Sequence, residues 1–439
     1  MDESSVVVPV PGPQPARLRT DVFLTFAGKG ITLLLTVATV SVVARALGPS
    51  GQGLFAVAYT LSLLLVQLGG LGLTTANPYF TARDRAARPR IVGNAVWFAA
   101  ALGLTLVAVG VLLKLVAPDT VEGLGWTPLL VTLAGIPGGL AALFLQAVLL
   151  GEGRMVAYNA VDVAQAALTL VGLVVVLFAL DEGLTGALLV IGASRYAGAL
   201  AYLTLLARAG ALTLRPDVGL ARTMLRYGVR IYVAALISLL VIRLDLLLVN
   251  AFLGRDEAGL YSVAAALADG MFVLPMVIGL NLLTRVARGD PDRATAEIFR
   301  SVFVLYGLVC LATVPVAGFG IRAIFGERYA EAETLYYWLL PGIFCLGMLT
   351  ILSHHFAGRG FPRAAMGIWF VGLAVNLAIN LAFLPGRGAW VAALASSISY
   401  ALLLALHMWL FARDAGGFSV LRPNAREVVR FVRVAVSRG

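Results

Sequence analysis

Charge is what this sequence has least of. Of its 439 residues 13% are charged and 60% are hydrophobic, where a soluble domain carries about 25% charged residues. Cysteine is nearly absent. Cys310 and Cys345 both fall in apolar runs, which argues against a disulfide framework and against a cysteine metal site. Histidine is as scarce, and the adjacent His354 and His355 would point to different faces of a helix. No metal and no cofactor is therefore expected. Lysine occurs only at Lys29 and Lys114, against 31 arginines. The chain also lacks the alternating pattern of barrel strands, because its apolar runs are continuous. No connection is long enough to fold as a soluble catalytic domain, so an enzyme is not expected. Residues 1–20, polar and then punctuated by Pro9, Pro11, Pro13 and Pro15, lack the order of a signal peptide and read as a disordered cytoplasmic tail.

What is present is apolar length. Mean hydropathy is +0.93, and runs of about 20 apolar residues, each enough to cross a bilayer, recur from end to end. The expectation is an all-α polytopic membrane protein of about twelve spans, numbered in order over about 21–45, 54–78, 91–116, 127–150, 156–180, 185–207, 227–253, 259–283, 299–324, 335–357, 364–385 and 389–412. Arginines then set orientation. Arg83, Arg85, Arg88 and Arg90 follow span 2, Arg208, Arg215, Arg222 and Arg226 follow span 6, Arg285, Arg288 and Arg293 follow span 8, and Arg359 and Arg363 follow span 10. The alternate loops at 118–122 and 181–184 hold no Arg or Lys. The alternation puts both termini in the cytoplasm and explains most of the net charge of +10 without nucleic acid. The last stretch, 424–436, reads as a basic amphipathic segment on the inner leaflet or as a plain basic tail.

One phrase occurs twice. Leu47-Gly48, Gly53-Leu54-Phe55, Val57-Ala58 and Leu61 recur as Leu253-Gly254, Gly259-Leu260-Tyr261, Val263-Ala264 and Leu267, at an offset of 206. The repeat divides the chain into an N-lobe (21–207, spans 1–6), a cytoplasmic linker (208–223), a C-lobe (224–412, spans 7–12) and a basic cytoplasmic tail (413–439). Two like-oriented six-span halves are the parallel-repeat plan of transporters that bind between their halves and alternate access by rocking them.

Charges inside spans cost about 2.5–3.5 kcal/mol each on insertion scales and so need a reason. On span 1, Lys29 shares a face with Thr25, Thr32 and Thr36, a stripe expected to line a cavity. On span 7, Arg243 and Asn250 share a face. Asp245 lies about 200° round from Arg243, so one of the two should face the cavity and the other its own half. Arg195 stands in mid-span 6, Asp269 in mid-span 8 and Asp162 in span 5, while Arg230 reads as a snorkelling anchor. Asn376 and Asn380, and Ser396, Ser397 and Ser399, read as helix-packing groups. Lys29, Arg195 and Arg243, with Arg45 at the mouth of span 1, make the interior more cationic than acidic. Such an interior suits an anion, and arginine forks match phosphate.

The motifs resemble those of a family. Ala44-Arg45-Ala46-Leu47-Gly48-Pro49 with Gly51, Gly53, Phe55 and Ala56 looks like the first-turn signature of Wzx-type polysaccharide flippases, within the multidrug/oligosaccharidyl-lipid/polysaccharide exporter superfamily. Arg243-x-Asp245 with Gly254 and Gly259-x-Tyr261-Ser262-x-Ala264 is similar to the family's helix 7–8 segment. Gly358-Arg359-Gly360-Phe361-Pro362, and Asn376-x-x-x-Asn380 through Pro385 to Ala392-Ala393, resemble later segments. Trp390-Val391 departs from the family's small glycine turn. The resemblance implies two six-helix lobes in a V and flipping of an undecaprenyl-diphosphate-linked oligosaccharide.

The expectation is thus a flippase with Lys29, Arg45, Arg195 and Arg243 binding substrate, and Asp245, Asp269 or Asp162 orienting it or coupling an ion. Its partners would be the glycolipid, membrane lipids and other polysaccharide-assembly proteins. A lipid II flippase, a cation-coupled drug antiporter and, more remotely, a membrane-embedded polymerase or ligase are the alternatives.

Overall fold

A computed structural model gives the fold for residues 15–421, leaving aside Leu214, Arg288, Asp290, Phe361 and Gly416 and the side chains of 15–26, Thr120, Arg230, Ile231, Thr284, Ala287 and Val420. Among the described residues there is no strand. The helices are α1 (Pro15–Gly69), α2 (Leu73–Arg83), α3 (Arg88–Val116), α4 (Trp126–Ala134), α5 (Ile136–Gly151), α6 (Met155–Val174), α7 (Gly183–Arg208), α8 (Val218–Leu253), α9 (Arg255–Met271), α10 (Val273–Ala287), α11 (Asp292–Thr313), α12 (Ala317–Phe325), α13 (Ala332–Gly358), α14 (Arg363–Phe383) and α15 (Trp390–Ala415).

Among the described residues ten stretches are long and apolar enough to cross a bilayer, and the α9–α10 pair, bent by 42°, makes an eleventh. The count resolves further at α1. Its apolar part, Ala27–Gly69, would be about 65 Å long at 1.5 Å per residue, twice a bilayer core of about 30 Å. The chain breaks it at Gly48, where φ is 68° and ψ −178°. Pro49 follows, suited to the first position of a new helix because it has no N–H to leave unpaired. Spans 1 and 2 are therefore the two limbs of α1, and twelve spans result. At the repeat position Gly254 has φ 87° and ψ 177°, so both halves turn on a glycine in a conformation that a Cβ disfavours. The α9–α10 bend precedes Pro275, which has no N–H to continue the helix.

The boundaries shift where backbone hydrogen bonding outlasts apolar sequence. The helix starts at Pro15, within the stretch expected to be a disordered tail, and the linker shrinks to 209–217 because α8 begins at Val218. That linker is tied down. The Asn94 amide donates to the Asp217 carbonyl at 3.0 Å and accepts from the Asp217 N–H at 2.7 Å. The Asp217 side chain caps α8 through the Leu220 N–H. The 1–14 tail and the amphipathic 424–436 stretch lie outside the described residues. Trp390 begins α15, and the turn before it uses Gly386 and Gly388, both at positive φ.

The lobes meet where the two repeat turns abut. A Cβ on Gly53 would lie 1.9 Å from the Arg255 carbonyl oxygen, and one on Gly259 would lie 2.1 Å from that of Pro49. Each residue of this contact maps onto its counterpart at the offset of 206, so the lobes close on one another about a local pseudo-two-fold axis. The Ser50 hydroxyl donates to Asp256, which obeys the same offset. Gln52 donates to Ser262 at 3.1 Å. At the opposite, arginine-rich end, the backbones of Gly72 and Gly228 touch and Tyr79 stacks on Tyr227 with ring centroids 4.5 Å apart.

Candidate functional site between the lobes

Span 1 puts Lys29 toward its own lobe. Its Nζ lies 2.9 Å from Asp162 Oδ2 on α6 and donates to the Tyr158 hydroxyl at 3.2 Å. The other Asp162 oxygen accepts from Tyr202 on α7 at 2.8 Å. Gln146 on α5 also donates to Tyr158, at 3.1 Å. Four helices thus share one polar network built on the lysine and the aspartate. A charge-assisted pair with further hydrogen bonds offsets much of the desolvation cost that a lone mid-span ion would bear. Of the threonine stripe, Thr32 and Thr36 line a cavity, Thr36 donates back to the Thr32 carbonyl at 2.8 Å, and the Thr25 side chain lies outside the described residues.

Two cavities of about 340 Å³ each flank span 2. One lies within the N-lobe and is lined by Thr32, Asp162, Gln165, Ser194 and Arg195. The other lies between the lobes and is lined by Gln52, Thr60, Arg243, Tyr261 and Asp269. Thr36, Val40, Phe55 and Tyr59 line both. Tyr59 is the partition. The Arg195 guanidinium sits 5.8 Å from its ring centroid on one side, and Arg243 shares the other cavity with it. Arg195 also donates to the Ser62 hydroxyl on span 2. No carboxylate among the described residues pairs with Arg195.

Span 7 separates its two charges as their 200° spacing requires. Arg243 turns to the cavity and pairs with Asp269 at 2.8 Å, the two side chains being 30% and 42% exposed. Asp269 ends the straight part of a broken span, a place where transporter sites commonly form. Asp245 turns into its own lobe and is 1% exposed. It accepts from Tyr261 at 3.2 Å, from Asn380 at 3.1 Å and from Ser396. The asparagine and serine read as packing groups therefore serve a buried acid. Asn250, expected on the Arg243 face, instead donates to the Glu122 carbonyl at 3.3 Å, tying α8 to the 117–125 loop of the N-lobe.

Arg45 is spoken for as well. Its guanidinium donates to the carbonyls of Ile324 (2.9 Å) and Ala323 at the C-terminus of α12, where cations and unpaired carbonyls attract one another. Ser41 donates to the same Ile324 carbonyl, and Tyr329 donates to the Ala44 carbonyl at 3.0 Å. This is a latch between span 1 and the C-lobe, not a cavity group. The surplus of four cations thus narrows sharply. Lys29 and Arg243 each hold an aspartate, Arg45 holds carbonyls, and Arg195 is left with an unmatched charge. Composition cannot show pairing between distant spans, and the tyrosines that complete the site (Tyr59, Tyr158 and Tyr202) carried no signal among so many aromatic and apolar neighbours.

His355 accepts or donates with Thr295 at 2.8 Å and lies 3.5 Å from Asp292, which also pairs with Arg359. Among the described residues no group of three His, Cys, Asp or Glu side chains could hold a metal ion.

A bundle of spans in two repeated halves, with charged side chains in cavities between and beside them, has the plan of a two-lobed membrane transporter. A family model described as "Polysaccharide biosynthesis protein" matches residues 18–279, more than half of the chain. The chain belongs to that family. Solved structures share the fold. A lipid II flippase, MurJ, in an inward closed conformation matches with a TM-score of 0.73 at 11% identity, over 93% of this chain and 89% of that one. An inward-facing multidrug MATE transporter matches with 0.71 at 14% identity, over 88% and 94%. A superfamily transporter from Pyrococcus furiosus, whose binding pocket is described as reversed in polarity, matches with 0.61 at 16% identity, over 89% and 94%. No curated protein matches the sequence.

Proposed function

We propose that the chain flips a lipid-linked oligosaccharide, joined to its lipid by a diphosphate, from the cytoplasmic to the outer leaflet of the cell membrane, with both termini in the cytoplasm. The observation that carries the reading is the convergence of Arg195 and Arg243 on Tyr59 from opposite lobes. Arg195 offers a charge with no acid to balance it, and Arg243 offers one that can be exchanged. A diphosphate entering the cavity would take the Arg243 guanidinium from Asp269, replacing one charge-assisted pair by another of similar strength. The released Asp269 would then be free to bind a proton or cation, which gives the site a coupling group. Asp162 can do the same for Lys29. Asp245, sealed among three donors, positions span 7 and does not touch the substrate. Alternating access would open and reclose the glycine contact between the two repeat turns.

A cationic drug would meet two neutralised pairs and one net positive charge here, so the drug-antiporter reading fits less well. A lipid II substrate would use the same diphosphate chemistry and differ in its sugar. Proteoliposomes loaded with labelled lipid-diphosphate oligosaccharide, lipid II or a cationic dye separate the readings. Translocation of the first without chain growth supports the proposal. Acid-driven dye efflux, or preferential flipping of lipid II, would replace it, and chain growth would make the protein an enzyme.

A further inference from the structure

A second cationic site lies away from the interlobe cavity, at the arginine-rich end of the N-lobe. A pocket of about 430 Å³ there is lined by Arg85, Arg88, Arg154 and Arg208, with Thr81 and Glu152. Glu152 is shared by Arg88 at 2.8 Å and Arg154 at 3.4 Å. Arg88 also donates to the Ala209 carbonyl, at 2.6 Å, and Arg154 to that of Leu205, at 3.3 Å. No acidic side chain among the described residues pairs with Arg85 or Arg208. Four guanidinium groups against one carboxylate leave the pocket strongly positive. Thr81 is 1% exposed, and its hydroxyl, like Arg88 Nε, is buried without a hydrogen-bond partner. Buried polar atoms facing a cationic pocket want an acceptor.

The pocket continues into the membrane. Leu205 lines it and also lines an apolar groove of about 380 Å³ between α6 and α7. The groove floor is small: Ala157, Ala160, Ala164, Ala197, Gly198 and Ala201. From Ala157 to Leu168 it runs about 16 Å at 1.5 Å per residue, close to the roughly 15 Å depth of one leaflet's hydrocarbon. An arginine cluster at the membrane rim above a leaflet-deep apolar channel matches one molecule in charge and in length.

We propose that this site binds an anionic phospholipid of the bilayer, its headgroup phosphate held by the four arginines and one acyl chain lying along the α6–α7 groove. The site is independent of the interlobe cavity, and it stands whether or not the flipped substrate has been correctly identified.

The test is native mass spectrometry of the full chain, released from detergent in the presence of phosphatidylglycerol, phosphatidylcholine with the same acyl chains, or inorganic phosphate. Phosphatidylglycerol should be retained about tenfold better than phosphatidylcholine, since charge-assisted contacts to the extra net charge decide the difference. Excess inorganic phosphate should not displace it. R85Q with R208Q should lower that retention about tenfold, and A160W with A164W, which fills the groove, should lower it as well, with melting in detergent checked for both. Equal retention of the two lipids by the unsubstituted chain, full displacement by inorganic phosphate, or undiminished retention in the folded groove variant would each overturn the proposal. The comparison of lipids on the unsubstituted chain decides the matter even if a variant fails to fold.

Discussion

The two lobes repeat a backbone and not a charge pattern. Both turn on a positive-φ glycine, Gly48 in one and Gly254 in the other, and both press a glycine five positions further on, Gly53 or Gly259, onto the partner's turn. Their polar centres differ. The N-lobe keeps its acid, Asp162, at a cavity wall, paired with Lys29 and touched by Tyr202. The C-lobe buries one acid, Asp245, under a tyrosine, an asparagine and a serine, and sends Arg243 with its partner Asp269 to the cavity. The position that matches Asp245 in the N-lobe is Thr39, and the one that matches Arg243 is Val37. A shared scaffold fixes where the lobes meet, and the unshared residues fix what the space between them can hold.

The symmetry is the easiest part to break. G53V and G259V each drive a side chain into a partner carbonyl, so each should prevent closure of the lobes at the turns and abolish transport, to the same extent. A cysteine pair in place of Ser50 and Asp256 reports on it: the cross-link should form in the parent and fail in both valine variants. A large effect at one glycine and none at the other would show that the contact is not symmetric.

Next comes the contrast between the two acids. D245A leaves the buried Tyr261 and Ser396 hydroxyls without an acceptor, each costing about 1–3 kcal/mol, while Asn380 keeps Asn376, and melting in detergent should fall steeply. D162A leaves Lys29 and Tyr202 at a cavity wall where water can replace the carboxylate, so the fall should be smaller. An equal loss would erase the distinction between a sealed and an open centre.

The smallest effect concerns the joint between the lobes. The Leu220 N–H holds the Asp217 carboxyl below the usual carboxylate range, with Arg90 adding to it. A depressed value means that the charged cap stabilises α8 above the ordinary carboxylate range, and that this is lost as pH falls through the lowered value. D217A should therefore differ from the parent in melting at neutral pH and begin to converge with it only as pH falls below about 4, meeting it below the lowered value. A difference that persists in acid would assign the effect to something other than the cap.

Much of this was legible in the sequence. Apolar length gave the spans, and the offset of 206 located the turn that proved to be the lobe contact. The opposed directions of Arg243 and Asp245 follow from helical period alone. Partners did not show. Arg45 looked like a cavity group because its sequence places it at a span end, yet it caps α12, which lies 279 positions away at Ile324. Asn250 shares a face with Arg243 by arithmetic, but its position nearer the turn brings it to the 117–125 loop. Pairing of Lys29 with Asp162 depends on spans 1 and 5 being neighbours, which periodicity does not encode.

The central claim is that Arg195 and Arg243 take the diphosphate while Asp269 gives way to it. It is tested most directly by flipping rates in proteoliposomes carrying labelled lipid-diphosphate oligosaccharide, for R195A, R243A and D269A side by side. Losing a charge-assisted contact of about 1.5–3 kcal/mol should slow R195A and R243A roughly ten- to hundredfold. D269A should still bind the lipid at least as tightly as the parent, because its carboxylate no longer competes for Arg243, and should lose any dependence on an ion gradient. Parent-like flipping by both arginine variants, at equal protein content, would contradict the claim.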